Sequence, residues 1–283
     1  MVSPMEFATK INVNRAESTV KFESGATLGE LLSSLADHQL GLFSVPNIHN
    51  VTMGGLLAGT GGHGDTSAGT SGTISNLIME LNFIGYNPTS GKYEMMTLAR
   101  NTSAAEISPL LGGHEGRTFI ISATIYVYPE AYEMRNRHVD TSAGFSSMHH
   151  LTLITSEDKV TLIKDRIEAI YREKFADKCS PGSKLLIRVT PIDDGVHHEA
   201  PALSMARGDE GHPDYAKTIW VEVLTPEGEE PECMGQVLDG MKHMVEDEFK
   251  DVALTRELGR DFERASATFD KYDPYGVFNF EDL

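Results

Sequence analysis

Polar and apolar positions alternate through Thr19-Val20-Lys21-Phe22, the period of a strand with one buried face, and Gly25 turns the chain after it. Thr27 followed by Glu30 has the spacing of a capping box, so a helix bearing Leu28, Leu31, Leu32 and Leu35 is expected to open there. Leu77 to Ile84 is apolar enough for a buried strand. Asn87-Pro88-Thr89-Ser90-Gly91 has turn chemistry, and Tyr93 to Leu98 supplies the hairpin partner. A helix around Ala104 to Leu111 and a strand over Phe119 to Pro129 complete this part. From about Asn136 longer charged helices take over. Ser156 to Lys178 reads as one amphipathic helix, with Val160, Ile163, Ile167, Ile170 and Phe175 near three- and four-residue spacings. Strands are expected at Lys184 to Thr190 and Lys217 to Leu224, and a further helix from about Glu232 to Glu248. Strands and helices segregated in this way give an α+β class, in two domains spanning 11–135 and 136–283.

Between these elements lies a stretch of different character, Pro46 to Gly72. It sets Gly54, Gly55, Gly59, Gly61, Gly62, Gly64, Gly69 and Gly72 among Thr and Ser, with His63 in the densest part. Glycine costs backbone entropy on folding, so such density is expected where another backbone or a ligand must come close. A flexible linker would lack the interleaved Val51, Met53, Leu56, Leu57 and Ile74. The pattern therefore implies a packed segment whose amides and hydroxyls face a polar partner such as a diphosphate.

The run Asn50-Val51-Thr52-Met53-Gly54-Gly55, then Thr60-Gly61-Gly62-His63-Gly64, then Gly72-Thr73-Ile74-Ser75, resembles the PCMH-type flavin-binding domain of the vanillyl-alcohol-oxidase superfamily. The nearest likeness is to sugar-lactone and alditol oxidases, and Tyr272-Asp273-Pro274-Tyr275-Gly276-Val277-Phe278-Asn279 resembles that group's closing turn. The resemblance implies a partial flavin-binding domain followed by a substrate cap whose C-terminal tail returns to the first domain. It implies cofactor contacts from Asn47, Thr52, Gly54, Gly55, Thr60, Gly61, Gly62, His63, Gly64 and Ile120. The family's earlier subdomain, with a second diphosphate loop and often a flavin-linked histidine, has no counterpart before Ile11. FAD is accordingly expected to be non-covalent, and weakly held if held at all. In the cap, Arg188 matches the arginine of an acid-x-arginine strand, although Leu186 stands where the acid belongs. Arg260 takes the place of a lysine, with Glu257 in place of a proline. These two arginines are the candidates for placing a substrate hydroxyl.

Composition narrows the alternatives. With 24 basic against 42 acidic residues among 283, the chain carries a formal charge of −18, which disfavours nucleic acid and anionic membranes as partners. No run approaches the ~18 apolar residues of a membrane span. Cys179 and Cys233 lack metal-ligand spacing and suit a reducing, cytoplasmic compartment. His149-His150 and His197-His198 are adjacent pairs with no third ligand placed by spacing, so no metal site is expected. No G-x-S-x-G elbow is present to suggest a hydrolase. Two readings stand: an FAD-dependent oxidoreductase acting on a hydroxyl carbon of a sugar lactone or polyol, or a catalytically lapsed binding or scaffold module. Nothing in the sequence sets the oligomeric state.

Overall fold

The computed structural model describes residues 8–46, 48–59, 62, 65–66, 73–111, 118–129, 131, 145–174, 184–192, 213–226, 243, 253–254 and 262–278. The chain forms two compact units, 1–139 with 193–205 and 256–283, and 140–192 with 206–255. Both contain antiparallel sheets with helices packed on them.

In the first unit β1 (Ile11–Asn14), β2 (Thr19–Glu23), β5 (Ile78–Asn87), β6 (Lys92–Ala99) and β7 (Phe119–Tyr126) form a five-stranded sheet in the order β1-β2-β7-β5-β6. β5 and β6 are the expected hairpin, with Tyr86 opposite Tyr93. α1 (Leu28–Asp37) opens on the full capping box. The Thr27 hydroxyl accepts from the Glu30 amide, and the Glu30 carboxylate accepts from the Thr27 amide. Its Leu28, Leu31 and Leu35 are fully buried in a core with Val20, Phe22, Leu57, Leu81 and Ile125. The minor strands β3 (Ser44–Val45) and β4 (Asp65–Thr66) pair, the first just before the glycine-rich stretch and the second within it.

Helix placement in this part departs from expectation. The helix placed at Ala104 to Leu111 lies earlier, as α3 (Arg100–Ile107), and hands over to a 3-10 turn at Ser108–Leu110. Pro109 has no amide hydrogen to continue an α ladder, yet Ile107, Leu110 and Leu111 are buried at helical spacing. The glycine-rich stretch contains a short helix, α2 (Met53–Ala58), because Met53, Leu56 and Leu57 recur on one buried face.

A helix not anticipated from the sequence, α5 (Phe262–Tyr272), joins the first unit's core through Ala265, Phe269 and Tyr272. Tyr272 donates its hydroxyl to Glu106, Lys271 donates to the same carboxylate, and Arg264 donates to the Ala105 carbonyl at 2.9 Å. Asp273 then accepts from the Tyr93 hydroxyl at 2.5 Å and from the amides of Val277 and Phe278, each at 2.8 Å. The closing turn is thus structural, with Gly276 at φ 63°.

In the second unit β8 (Phe145–Thr155), β9 (Lys184–Pro191), β10 (Lys217–Pro226) and β11 (Ala253–Leu254) form a sheet in the order β11-β8-β10-β9. β8 falls where the sequence suggested charged helix. The amphipathic helix is α4 (Val160–Lys174), and its buried Ile163, Ile167 and Ile170 pack on Leu153, Ile219, Val221 and Val223. Phe175 and the helix expected at Glu232 to Glu248, apart from His243, lie outside the described residues.

Candidate functional site

Strand register decides which side chains share a face in the second unit. Ile219, Val221 and Val223 of β10 point to α4, so Thr218, Trp220, Glu222 and Leu224 occupy the opposite face. β9 brings Arg188 opposite Trp220 and Thr190 opposite Thr218, and β8 brings Thr152 opposite Trp220. Each of these side chains is buried, although most are polar. A structural sheet face is ordinarily apolar when buried, so a buried polar strip asks for partners.

Most of those partners are present. Arg188 is 7% exposed and grips Glu222 with two donors, Nε at 3.2 Å and Nη2 at closer range. Its Cζ lies 5.5 Å from the Trp220 ring centroid, and the indole N–H donates to the Thr190 hydroxyl at 2.9 Å. Nη1 of Arg188 and Oγ1 of Thr218, however, are buried without a hydrogen bond. A buried guanidinium donor unused by protein is costly unless a ligand oxygen takes it. The fork geometry fixes its direction, since Glu222 holds the other edge of the plane.

Glu222 is the residue the sequence reading missed. Where the expected acid-x-arginine pattern has Leu186, the register places Glu222 directly opposite, on the neighbouring strand, with His150 as its register partner on β8. The carboxylate thus comes from across the sheet instead of from two residues earlier on the same strand. A signal existed: Glu222 interrupts the apolar run of Lys217–Pro226, in phase with Trp220 and out of phase with Val221 and Val223. Arg260, the other candidate arginine, lies outside the described residues.

In the first unit the approach to the glycine-rich stretch is pinned by backbone. Gly29 N–H donates to His49 O at 2.8 Å, Leu28 to Val51 O at 3.0 Å, Met53 to Ala26 O at 2.8 Å and Gly54 to Ser24 O at 2.8 Å. Thr52 caps α2, its hydroxyl accepting from Gly55 N–H at 3.3 Å. The amides of Met53, Gly54 and Gly55 are therefore spent on the protein itself. A Cβ at Gly54 would stand 2.7 Å from the Ser24 Cβ. Gly62 adopts φ +77° between Leu56 and Ile74, and its carbonyl accepts from Ile74 N–H at 3.1 Å. Thr52, Gly54, Gly55 and Gly62 shape the stretch by close internal packing. Ile120 is 5% exposed within the core, opposite Phe83, which leaves only its backbone for any cofactor. Asn47, Thr60, Gly61, His63 and Gly64 lie outside the described residues.

One atom of this region points to a ligand. Nε2 of His49 is buried and makes no hydrogen bond, at the entrance to the glycine-rich stretch and against the first turn of α1. An imidazole nitrogen removed from both water and protein suits a polar group of a bound molecule, and the diphosphate or ring amide of FAD has that chemistry.

No family model and no curated protein matches the sequence. Solved structures match the fold. A solvent-stable cholesterol oxidase superposes with a TM-score of 0.73 at 17% identity, covering 98% of this chain and 84% of its own. The xylooligosaccharide oxidase of Myceliophthora thermophila C1, in complex with xylobiose, gives 0.69 at 12% identity over 97% of this chain and 79% of its own. A chitooligosaccharide oxidase gives 0.67 at 10% identity, over 96% and 79%. The chain has the fold of these oxidases.

Proposed function

We propose that the chain is an FAD-dependent oxidoreductase that oxidises a hydroxyl carbon of a sugar lactone or polyol. The observation that carries the reading is the unused Nη1 of Arg188, held buried on a polar sheet face by its two-donor grip on Glu222. A charge-assisted donor of this kind places a substrate oxygen and favours negative charge developing on it. The fixed indole of Trp220 gives the adjoining carbon skeleton an apolar wall and keeps water from the donor. Arg260 is the second candidate for placing that substrate.

FAD, when bound, supplies the hydride acceptor. Asn47, Thr60, Gly61, His63 and Gly64 would contact it, with His49 as an added partner. Thr52, Gly54, Gly55 and Gly62 would set the path of the stretch, and Ile120 would offer backbone. Support comes from the motif resemblance, from the orphaned His49 nitrogen and from a fold shared with sterol and oligosaccharide oxidases.

A visible absorption spectrum of the purified chain, before and after incubation with FAD, tests the reading. A flavin spectrum that bleaches on anaerobic addition of a sugar or polyol is the expected result. A colourless chain that takes up no flavin would leave a lapsed binding or scaffold module as the function.

A further inference from the structure

On the polar face of the second unit's sheet, Arg188 and Glu222 are the charged side chains among the described buried residues, and they neutralise one another. The other buried side chains described on this strip are hydroxyl, indole and alkyl: Thr152, Thr190, Thr218, Trp220 and Leu224. We infer that Glu222 sets the charge of the substrate, so that the site admits uncharged hydroxylated compounds and turns away those with a carboxylate where Arg188 reaches. The inference rests on the reading of this face as the substrate site and adds a selection rule to it.

The argument is one of occupancy and repulsion. A carboxylate ligand is bound best by a guanidinium fork offering two parallel donors. Glu222 already holds one edge of that fork through Nε and one N–H of Nη2, so the N–H groups left to a ligand, those of Nη1 and the second of Nη2, belong to a guanidinium whose charge is already balanced. Such donors serve the neutral oxygen of a hydroxyl, ether or carbonyl with no further charge to balance. A second carboxylate would also stand beside Glu222 in surroundings with little water to screen the pair, and like charges sharing a buried site disfavour joint ionisation. A neutral ligand meets neither obstacle, and the unpartnered Thr218 hydroxyl offers it a further hydrogen bond.

The test uses the full FAD-loaded chain and two pairs of probes matched in shape and differing in charge, xylitol with xylonate and xylobiitol with xylobionate. Binding is read by calorimetry, so no turnover is needed. The neutral member of any pair that binds should do so at least tenfold more tightly. Glu222→Gln should move that ratio at least tenfold towards the acid, because it leaves Arg188 with an unbalanced positive charge. Arg188→Met should weaken the neutral probe. Xylonate or xylobionate binding the wild type as tightly as its neutral partner overturns the inference, and so does a ratio that Glu222→Gln leaves within twofold. Should Glu222→Gln fail to fold, the wild-type ratio decides alone. Binding of neither pair removes the substrate reading and this inference together, whereas neutral binding without oxidation removes the oxidase and keeps the selection rule.

Discussion

Arg188 and Glu222 stabilise the second unit only as a couple, because each has left water and neither has another counter-charge among the described buried side chains. Removing one partner of such a pair strands the other. Arg188→Met should therefore cost about 3–5 kcal/mol, while Arg188→Met with Glu222→Leu should cost less than that single change. Urea denaturation of the two variants measures the difference, and a double variant weaker than Arg188→Met would show that the pair is not the mutual counter-charge described. In turnover, Arg188→Met should lower kcat/KM at least tenfold, about 1.4 kcal/mol or more of lost transition-state stabilisation. Glycine positions divide by what surrounds them. Gly54→Ala meets Ser24 at 2.7 Å and Gly62→Ala must hold φ +77°, so each should lose about 1–3 kcal/mol. Gly55→Ala meets only the Thr52 hydroxyl at 3.1 Å and gains helix propensity in α2, so its melting temperature should stay near wild type.

The attachment of α5 brings titration into stability. Burial pushes the Tyr272 phenol up to about 12, helped by its hydrogen bond to Glu106, and burial likewise pushes Tyr93 up to about 12, helped by Asp273. The folded state thus favours both phenols protonated. Their contribution is complete below the ordinary phenol value of about 10 and fades as pH climbs towards about 12. Glu106 behaves oppositely, since hydrogen bonds from Lys271 and Tyr272 hold its carboxyl below the usual range. What it adds is present above that range and is lost as pH falls through the lowered value. Melting temperature against pH should show an alkaline decline that Tyr272→Phe softens and an acid decline that Glu106→Gln softens. Identical alkaline limbs in wild type and Tyr272→Phe would remove Tyr272 from this account. The Lys271 contact adds little, because its side chain is 57% exposed and salt screens it.

For the whole molecule, the shared fold sets a scaffold and leaves the chemistry to the sites upon it. Structures named for sterol, xylooligosaccharide and chitooligosaccharide oxidation superpose on this chain at 10–17% identity, so one architecture carries several substrates. No helix among the described residues is long and apolar enough to cross a membrane. If FAD binds without a covalent link, acid precipitation of the loaded protein should leave the yellow colour in the supernatant. Colour retained by the washed pellet would show a covalent attachment. Flavin uptake should also raise the melting temperature with ligand concentration, as any group bound only by the folded state does.

The capping box of α1, the turn between β5 and β6, the amphipathic stripe of α4 and the strand character of β9 and β10 were all legible in the sequence. Each depends on residues a few positions apart, and turn chemistry and periodicity act at that range. Leu186 in place of an acid was legible too, but its meaning was not. Glu222 reaches Arg188 from 34 residues away, and only the pairing of β9 with β10 puts the two on one face. In the same way Ser24 explains Gly54, and Glu106 explains the seat of Tyr272 across 166 residues. Sequence determined where the chain could extend, coil or turn, because those preferences are local. Tertiary structure decided which charge meets which, because that follows from strand register and packing between segments far apart along the chain.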